Sequence, residues 1–384
     1  MKIEIIAPPV YPVPPIDAGG IERGVDDLAK GLGALGHEIG VVASADSTIS
    51  HPGVRLYPSM DQSASMLGLT AETLPAYLND AEECSFLVSQ RLVLNGLAEI
   101  INLRWDNRPE LLHELAKLGV PIIASISCTP RPSITDVINV DHPNITFTAH
   151  TAAHKHSLGT PEEVNKIRVL PYGIDMTAIA PSHKSLSTTP EDPELSMLRM
   201  LQDNGQDYLI HMARITPGKG QATSIQIAKE ANIPLVIAGE PDPYDRVSQQ
   251  YFSELIEPEI DNKHIFYYGA AGELEKIALT RFALGAMYCS GMEDRRFVEP
   301  FGRFIAEAVA AGTPVVGFDY GSLPELVQED ETGFTFRCVD EAATCIDSIR
   351  RNFDRVRCAE LARKTLSADQ FVSGMEELAQ SLID

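Results

Sequence analysis

The sequence predicts an α/β protein of two domains, each a parallel sheet wound with helices on both faces. Three observations carry this. Apolar runs of strand length alternate with helical patterns along the whole chain, which is the signature of parallel sheets covered on both sides. The alternation pauses once, at about residues 180–206, where Pro, Ser and Thr cluster. A chain of 384 residues, 44% apolar, can fill two full-sized cores.

In the first half, strands read at 2–7, 38–44, 99–103, 121–127, 145–149 and 167–171. In the second they read at 208–212, 234–239, 264–269, 284–289, 314–318 and 333–336. Between them, Ile21, Val25, Leu28, Leu32 and Leu35 mark a helix over 21–35 by their 4,3,4,3 spacing. In open parallel sheets, ligands bind beyond the carboxyl ends of the strands. Two such sheets imply an interdomain cleft, and the chemistry-bearing motifs fall at those strand ends.

Composition narrows the function classes. A net charge of −23 repels nucleic acid and anionic bilayers, so binding to either is not expected. No apolar run approaches membrane-spanning length, and the N-terminus reads as a first strand rather than a leader. The six cysteines include no Cys-x2-Cys pair, and no His cluster has zinc spacing. A reduced cytoplasm is the expected setting, and Cys289 is expected in a core. The sequence carries no signal for oligomeric state.

The most informative stretch is Glu299-Pro-Phe-Gly-Arg-Phe-Ile-Ala-Glu307. Phe304, Ile305, Ala308 and Val309 share a face, which predicts a helix over about 302–311, stopped by Gly312 and Pro314. Arg303 and Glu307 lie on its polar face. Alone they are an ordinary i,i+4 pair worth about 0.2–0.5 kcal/mol. A helix N-terminus suits phosphate, and two carboxylates beside it suit hydroxyls, so together they point to a sugar carrying a diphosphate.

Three other motifs keep it company. Gly19-Gly20-Ile-Glu-Arg23 opens the first helix, where paired glycines allow close backbone approach. Arg214-Ile-Thr-Pro-Gly-Lys219-Gly220 sets two cations around a turn after a strand, able to neutralise a leaving diphosphate. Pro171-Tyr-Gly-Ile-Asp175 reads as a turn into the linker.

In this order, and over nearly the whole chain, these motifs resemble the retaining GT-B glycosyltransferases of family 4. Gly312-Thr-Pro-Val-Val, Gly321-Ser-Leu-Pro-Glu325 and Thr332-Gly-Phe334 extend the likeness. The resemblance implies a GT-B fold of two Rossmann-like domains facing a cleft: an acceptor-binding domain over residues 1–177 and a donor-binding domain over 200–365. A C-terminal helix, 366–384, would cross back to the first domain. It implies a hexosyltransferase that uses a nucleoside-diphosphate sugar as co-substrate, with no cofactor and no metal. The acceptor would be a small molecule, a glycan or a lipid-linked hydroxyl.

By the same resemblance, Arg214 and Lys219 hold the diphosphate, Gly19 and Gly20 approach it, and Glu299 contacts the sugar. Backbone N–H groups at Phe301, Gly302, Arg303 and Phe304 face sugar and phosphate, and Glu307 holds the ribose. The family carries a histidine at the end of a first-domain strand; here Ser127 or Cys128 stands at that place. His150 ends the next strand and His154 follows it; Ser127, Cys128 and His150 make up the expected acceptor or sugar edge. The missing histidine motivates a second reading, a catalytically impaired sugar-nucleotide binder. A third is a sugar-nucleotide epimerase of the same architecture.

Overall fold

The structure, a computed structural model, describes residues 1–16, 19–129, 132–177, 179, 200–201 and 204–384. The Pro/Ser/Thr-rich break falls almost wholly outside these residues, as does Asp17 before the glycine pair. The chain divides into two compact units: residues 1–175 with 368–384, and residues 176–367.

In the first unit, seven parallel strands run β1 Lys2–Ile6, β2 Glu38–Ser44, β3 Val54–Met60, β4 Ile100–Leu103, β5 Ile122–Ser125, β6 Ile145–Ala149 and β7 Ile167–Val169. Their spatial order is β3-β2-β1-β4-β5-β6-β7. The order reverses beside β1, which places the loops after β1 and β4 at a topological switch. The central strands β1, β2, β4 and β5 are buried almost throughout, as continuous Ile/Val runs require.

Strand β3 was not expected from the sequence. Val54-Arg-Leu-Tyr-Pro-Ser-Met60 is half exposed, holds Pro58 and, among the described residues, pairs only with β2. A proline lacks the N–H a central strand needs, so this segment is tolerable only at an edge. Elsewhere the predicted strands hold, three with the same bounds and the others shorter by one to three residues.

The first helix runs Gly20–Ala34 and buries Val25, Leu28, Ala29 and Leu32 against the sheet. Leu35, read as part of that face, caps the helix and is exposed. The C-terminal helix Ala368–Ile383 packs along this first helix. A Cβ at Gly31 would lie 3.1 Å from Val372 Cγ1, so the two backbones meet where side chains are absent. His37 Nε2 and Glu376 Oε1 pair at 2.7 Å, and the N–H of Ala368 donates to Ile174 O at 2.8 Å. The segment read as a turn into the linker is therefore also an anchor: Ile174 is fully buried, and the Tyr172 ring packs, tilted, against that of Phe371.

In the second unit, six parallel strands run β8 Leu209–Met212, β9 Leu235–Ala238, β10 Ile265–Gly269, β11 Gly285–Tyr288, β12 Val315–Phe318 and β13 Gly333–Phe336. Their order is β10-β9-β8-β11-β12-β13. The order again reverses beside the first strand of the unit, so the loops after β8 and β11 lie together. Cys289 is fully buried, in the core position expected for it. Among the described residues, no helix is long and apolar enough to cross a membrane.

One core residue is out of keeping with its surroundings. Glu4 lies mid-strand in β1, fully buried. It accepts the hydroxyl of Ser89, and Oε2 has no partner among the described residues. Burial pushes its carboxyl up to about 7, although the Ser89 hydrogen bond pulls the other way. A raised folded pKa contributes stability that is complete below the unfolded value and lost as pH rises through about 7. Replacing Glu4 with Gln should remove that loss. In urea titrations, the stability of Glu4→Gln should gain on wild type between pH 5 and pH 8, by on the order of a few kcal/mol. Parallel pH profiles would contradict the assignment.

Candidate active site

The candidate residues form two sets, one in each unit. In the second unit the site grows from β8. After Met212 the chain turns out through Arg214 into a short 3-10 turn, Pro217–Lys219, closed by the bond from the N–H of Lys219 to Thr216 O at 3.0 Å. The N–H of Gly291 donates to Gly218 O at 2.9 Å, tying this turn to the loop after β11. Phe297, on that second loop, packs on Gly218 so closely that a side chain there would collide with its ring.

The result is an ion pair between residues eighty positions apart. Lys219 Nζ donates to Glu299 Oε2, with both side chains largely buried. The ammonium lies 4.9 Å from the Phe297 ring centroid and 5.9 Å from that of Tyr288. Both rings add cation–π attraction and exclude water. Beneath Lys219, His211 shares a 2.7 Å hydrogen bond with Ser224 Oγ. Burial first, and then the Lys219 charge, push the imidazole down to about 3, so His211 is neutral at physiological pH and adds no second cation.

Tyr288 supports the carboxylate. It ends β11, and its phenol is held well above the usual range by burial and then by the adjacent Glu299 carboxylate. It therefore stays protonated and donates toward Glu299. Sequence reasoning missed Tyr288; a phenol closing an otherwise apolar strand was the available signal.

Beyond Glu299, the predicted helix is present over Arg303–Ala310, with Gly302 as N-cap and Ala311 as C-cap. Phe304, Ile305, Ala308 and Val309 are buried, as their spacing required. Arg303 Nε and Glu307 Oε1 lie 3.6 Å apart on the outer face. Phe301 is buried, and its carbonyl accepts the Ser322 hydroxyl at 3.0 Å, which fixes the loop from the β12 side.

Arg214 behaves differently from Lys219. Its side chain is 64% exposed and pairs with Asp242 at 2.7 Å, on the loop after β9. The structure thus joins Lys219, Glu299 and the 301–307 segment. It leaves Arg214 held from the opposite side by a carboxylate the sequence did not single out. No group of three or more His, Cys, Asp or Glu among the described residues is arranged to hold a metal.

In the first unit, Gly19 has φ 128° and Gly20 starts the first helix. Ser127 follows β5, where its hydroxyl shares a 2.9 Å hydrogen bond with His150 Nε2. Asp106, after β4, accepts the N–H of Ser127 and, at 2.8 Å, that of Cys128. His154 shares a 2.9 Å hydrogen bond with Cys128 O, and its ring centroid lies 6.3 Å from that of His150. Ser127, Cys128 and His150 are therefore one local cluster, with Asp106 as the residue that sequence reasoning omitted. His150 is held well below the usual imidazole range, by burial first and then by the charge of Arg104.

Comparisons with solved structures place the fold. A glycosyltransferase from avilamycin A biosynthesis, AviGT4, matches with a TM-score of 0.68 at 20% identity, over 100% of this chain and 98% of that one. HepE from Anabaena, solved with UDP and glucose, matches with a TM-score of 0.69 at 17% identity, over 99% and 100%. Sucrose-phosphate synthase from Thermosynechococcus elongatus matches with a TM-score of 0.71 at 16% identity, over 99% and 98%. At these identities the likeness establishes the fold, and the fold is GT-B. More particularly, residues 199–365 match the sequence model of the family described as Glycosyl transferases group 1. That match lies almost wholly within the second unit, and the resemblance read from the motifs fits both likenesses. No match was found among curated proteins.

The N-cap of the Arg303–Ala310 helix gives a stability test. Gly302 has φ 84°, and a Cβ there would fall 2.7 Å from Ile305 Cδ1 and 2.8 Å from the Tyr288 hydroxyl. Gly36 also has positive φ, 89°, but open space around it. Gly36→Ala should cost about 1–2 kcal/mol in urea unfolding, for the left-handed backbone alone. Gly302→Ala should cost clearly more, and equal costs would refute the packing described at Tyr288.

Proposed function

We propose that the protein is a retaining glycosyltransferase that moves a hexosyl-type sugar from a nucleoside-diphosphate sugar to a hydroxyl acceptor without a metal. The observation that carries the reading is the Lys219–Glu299 pair beside the start of the Arg303–Ala310 helix. A cation, a carboxylate and a helix N-terminus at one point match the three needs of such a donor. The cation and helix end take diphosphate charge, and the carboxylate takes sugar hydroxyls.

The roles follow. Lys219 offers a point charge to the diphosphate, and Arg214 a planar fork that can bridge its oxygens once exchanged from Asp242. Glu299, aligned by Lys219 and Tyr288, accepts hydrogen bonds from the sugar. Backbone groups over 301–304 face sugar and phosphate, and Glu307 accepts the ribose hydroxyls. Gly19 and Gly20 keep the diphosphate role the resemblance gives them, and Ser127, Cys128 and His150 form the acceptor edge.

In the transfer step, the bond from the anomeric carbon to the leaving phosphate oxygen breaks. The acceptor oxygen bonds to the same face of that carbon. The acceptor proton passes to the departing phosphate, so no side chain need be the base. Glu299 then acts on sugar orientation and charge and forms no covalent intermediate, unlike a glycosidase carboxylate. The difficult part is leaving-group charge, which fixed cations and helix dipoles stabilise without reorganisation.

UDP-glucose, the ligand class of the Anabaena neighbour, is the first donor to screen by release of nucleotide and sugar. Lys219→Ala and Arg214→Ala should each lower turnover roughly a hundredfold or more, because each leaves diphosphate charge uncompensated. Glu307→Ala should weaken nucleoside diphosphate binding, whereas Glu299→Ala should spare binding and impair transfer. Turnover should persist in excess chelator. Nucleotide binding with no sugar released from any donor would favour the impaired binder, and an epimerised sugar seen by NMR would favour the epimerase.

A further inference from the structure

Arg104 is a cation buried in the first unit. It follows β4, is 1% exposed, and none of its three side-chain nitrogens has a hydrogen-bond partner among the described residues. Its guanidinium carbon lies 5.8 Å from the Tyr172 ring centroid and 5.7 Å from that of Phe371. Burial lowers its pKa from the ordinary value, while Tyr172 and Asp106 raise it. A guanidinium still keeps its proton at physiological pH. Two aromatic faces offset only part of the desolvation of such an ion.

The obvious internal counterion is occupied. Asp106 is turned toward the β5 end, where one of its oxygens accepts both the Ser127 and Cys128 N–H groups. Arg104 instead belongs to a polar layer beneath the C-terminal helix. Asn102, two residues earlier, donates to Ile123 O and Ser125 Oγ, each at 3.2 Å, and touches Met375 Sδ at 3.8 Å. Thr148 donates to Ser125 Oγ at 3.1 Å. The Asn102 carboxamide oxygen also has no partner among the described residues. A buried layer with five unused donors in a planar fork, and an acceptor nearby, is built for a polar group other than those of the fold.

We propose that this layer is an oxyanion subsite of the first unit, in which Arg104 takes a carboxylate or phosphate and Asn102 accepts a hydroxyl of the same molecule. The part-exposed Ser127 and Cys128 form its rim, with His150 behind Ser127. Calling the bound molecule the sugar acceptor rests on the transferase reading; the subsite itself does not. The acceptor is then anionic, and its charged group is held one layer below the strand ends while a hydroxyl stays at the Ser127–His150 edge.

The test uses the full chain with inorganic phosphate, acetate and chloride at matched ionic strength. Thermal midpoints and the His150 imidazole signals are followed by calorimetry and NMR. His150 belongs to the first unit, so its signals separate this site from phosphate held at Lys219 and Arg214 of the second. Phosphate or acetate should raise the midpoint by several degrees, saturably, and shift the His150 signals, with chloride inert. The stronger of the two identifies the oxyanion class. Arg104→Met should abolish the His150 response while leaving UDP binding as in the unmodified chain. If Arg104→Met does not fold, the His150 titration of the parent decides alone. Midpoints and His150 signals unmoved by either anion up to ~50 mM, or an Arg104→Met variant that keeps the His150 response, overturn the proposal. Failure of donor turnover would leave an anion response intact, so the subsite and the transferase reading fall separately.

Discussion

The contact on which the second unit's site depends is the ion pair between Lys219 and Glu299. Two loops must meet for it to form, and the sheet order lets them. β8 and β11 are neighbours, so the turn after one and the loop after the other leave the sheet side by side. The backbone bond from Gly291 to Gly218 and the packing of Phe297 on Gly218 fix their separation. An ammonium and a carboxylate held this deep are expensive to desolvate and strongly destabilising to separate singly. Tyr288, Phe297 and neutral His211 shape the surroundings so that the pair has neither a competing cation nor free access to water.

The same pair explains why the two cations of one motif differ. Lys219 is held by the loop that carries Glu299. Arg214, five residues earlier, sits before the turn and reaches the carboxylate of Asp242 on the β9 loop. A largely exposed Arg–Asp pair contributes about 0–1 kcal/mol, so releasing Arg214 to another anion costs little. Lys219 is positioned in advance, and Arg214 is exchangeable. Motif spacing shows neither property, because both depend on which neighbouring loop supplies a carboxylate.

Much of the fold was legible in the sequence because parallel strands are buried on both faces and read as apolar runs. The Arg303–Ala310 helix was legible because one face is apolar and glycine brackets it. What escaped reading followed other physics. β3 has the composition of a loop, since an edge strand need bury only part of itself and can hold Pro58. Pro171–Asp175 has the composition of a turn, yet Tyr172 and Ile174 receive the C-terminal helix, a contact made by residues nearly two hundred positions away. The candidate residues were legible as motifs. Their supports, Tyr288, Asp106 and Asp242, were not, because each matters through a partner distant in sequence.

The two units share a plan, with a switch point beside the first strand, but fill it with different chemistry. In the second, buried charges meet as partners and the surplus cation is at the surface. In the first, the two most deeply buried charges are kept apart. Glu4 lies mid-strand in β1 with a carboxyl raised to about 7. Arg104 lies past the end of β4, stacked on rings rather than paired. Parallel strands advance about 3.3 Å per residue. Glu4 pairs in register with Ile101, so Arg104 lies three positions further along the neighbouring strand, on the order of 10 Å away. That separation prevents the one ion pair that would have satisfied both groups. A fold selected only for stability would have joined or removed them. Keeping an unneutralised guanidinium at the strand ends, where α/β folds take their ligands, fits a charge reserved for something the chain binds.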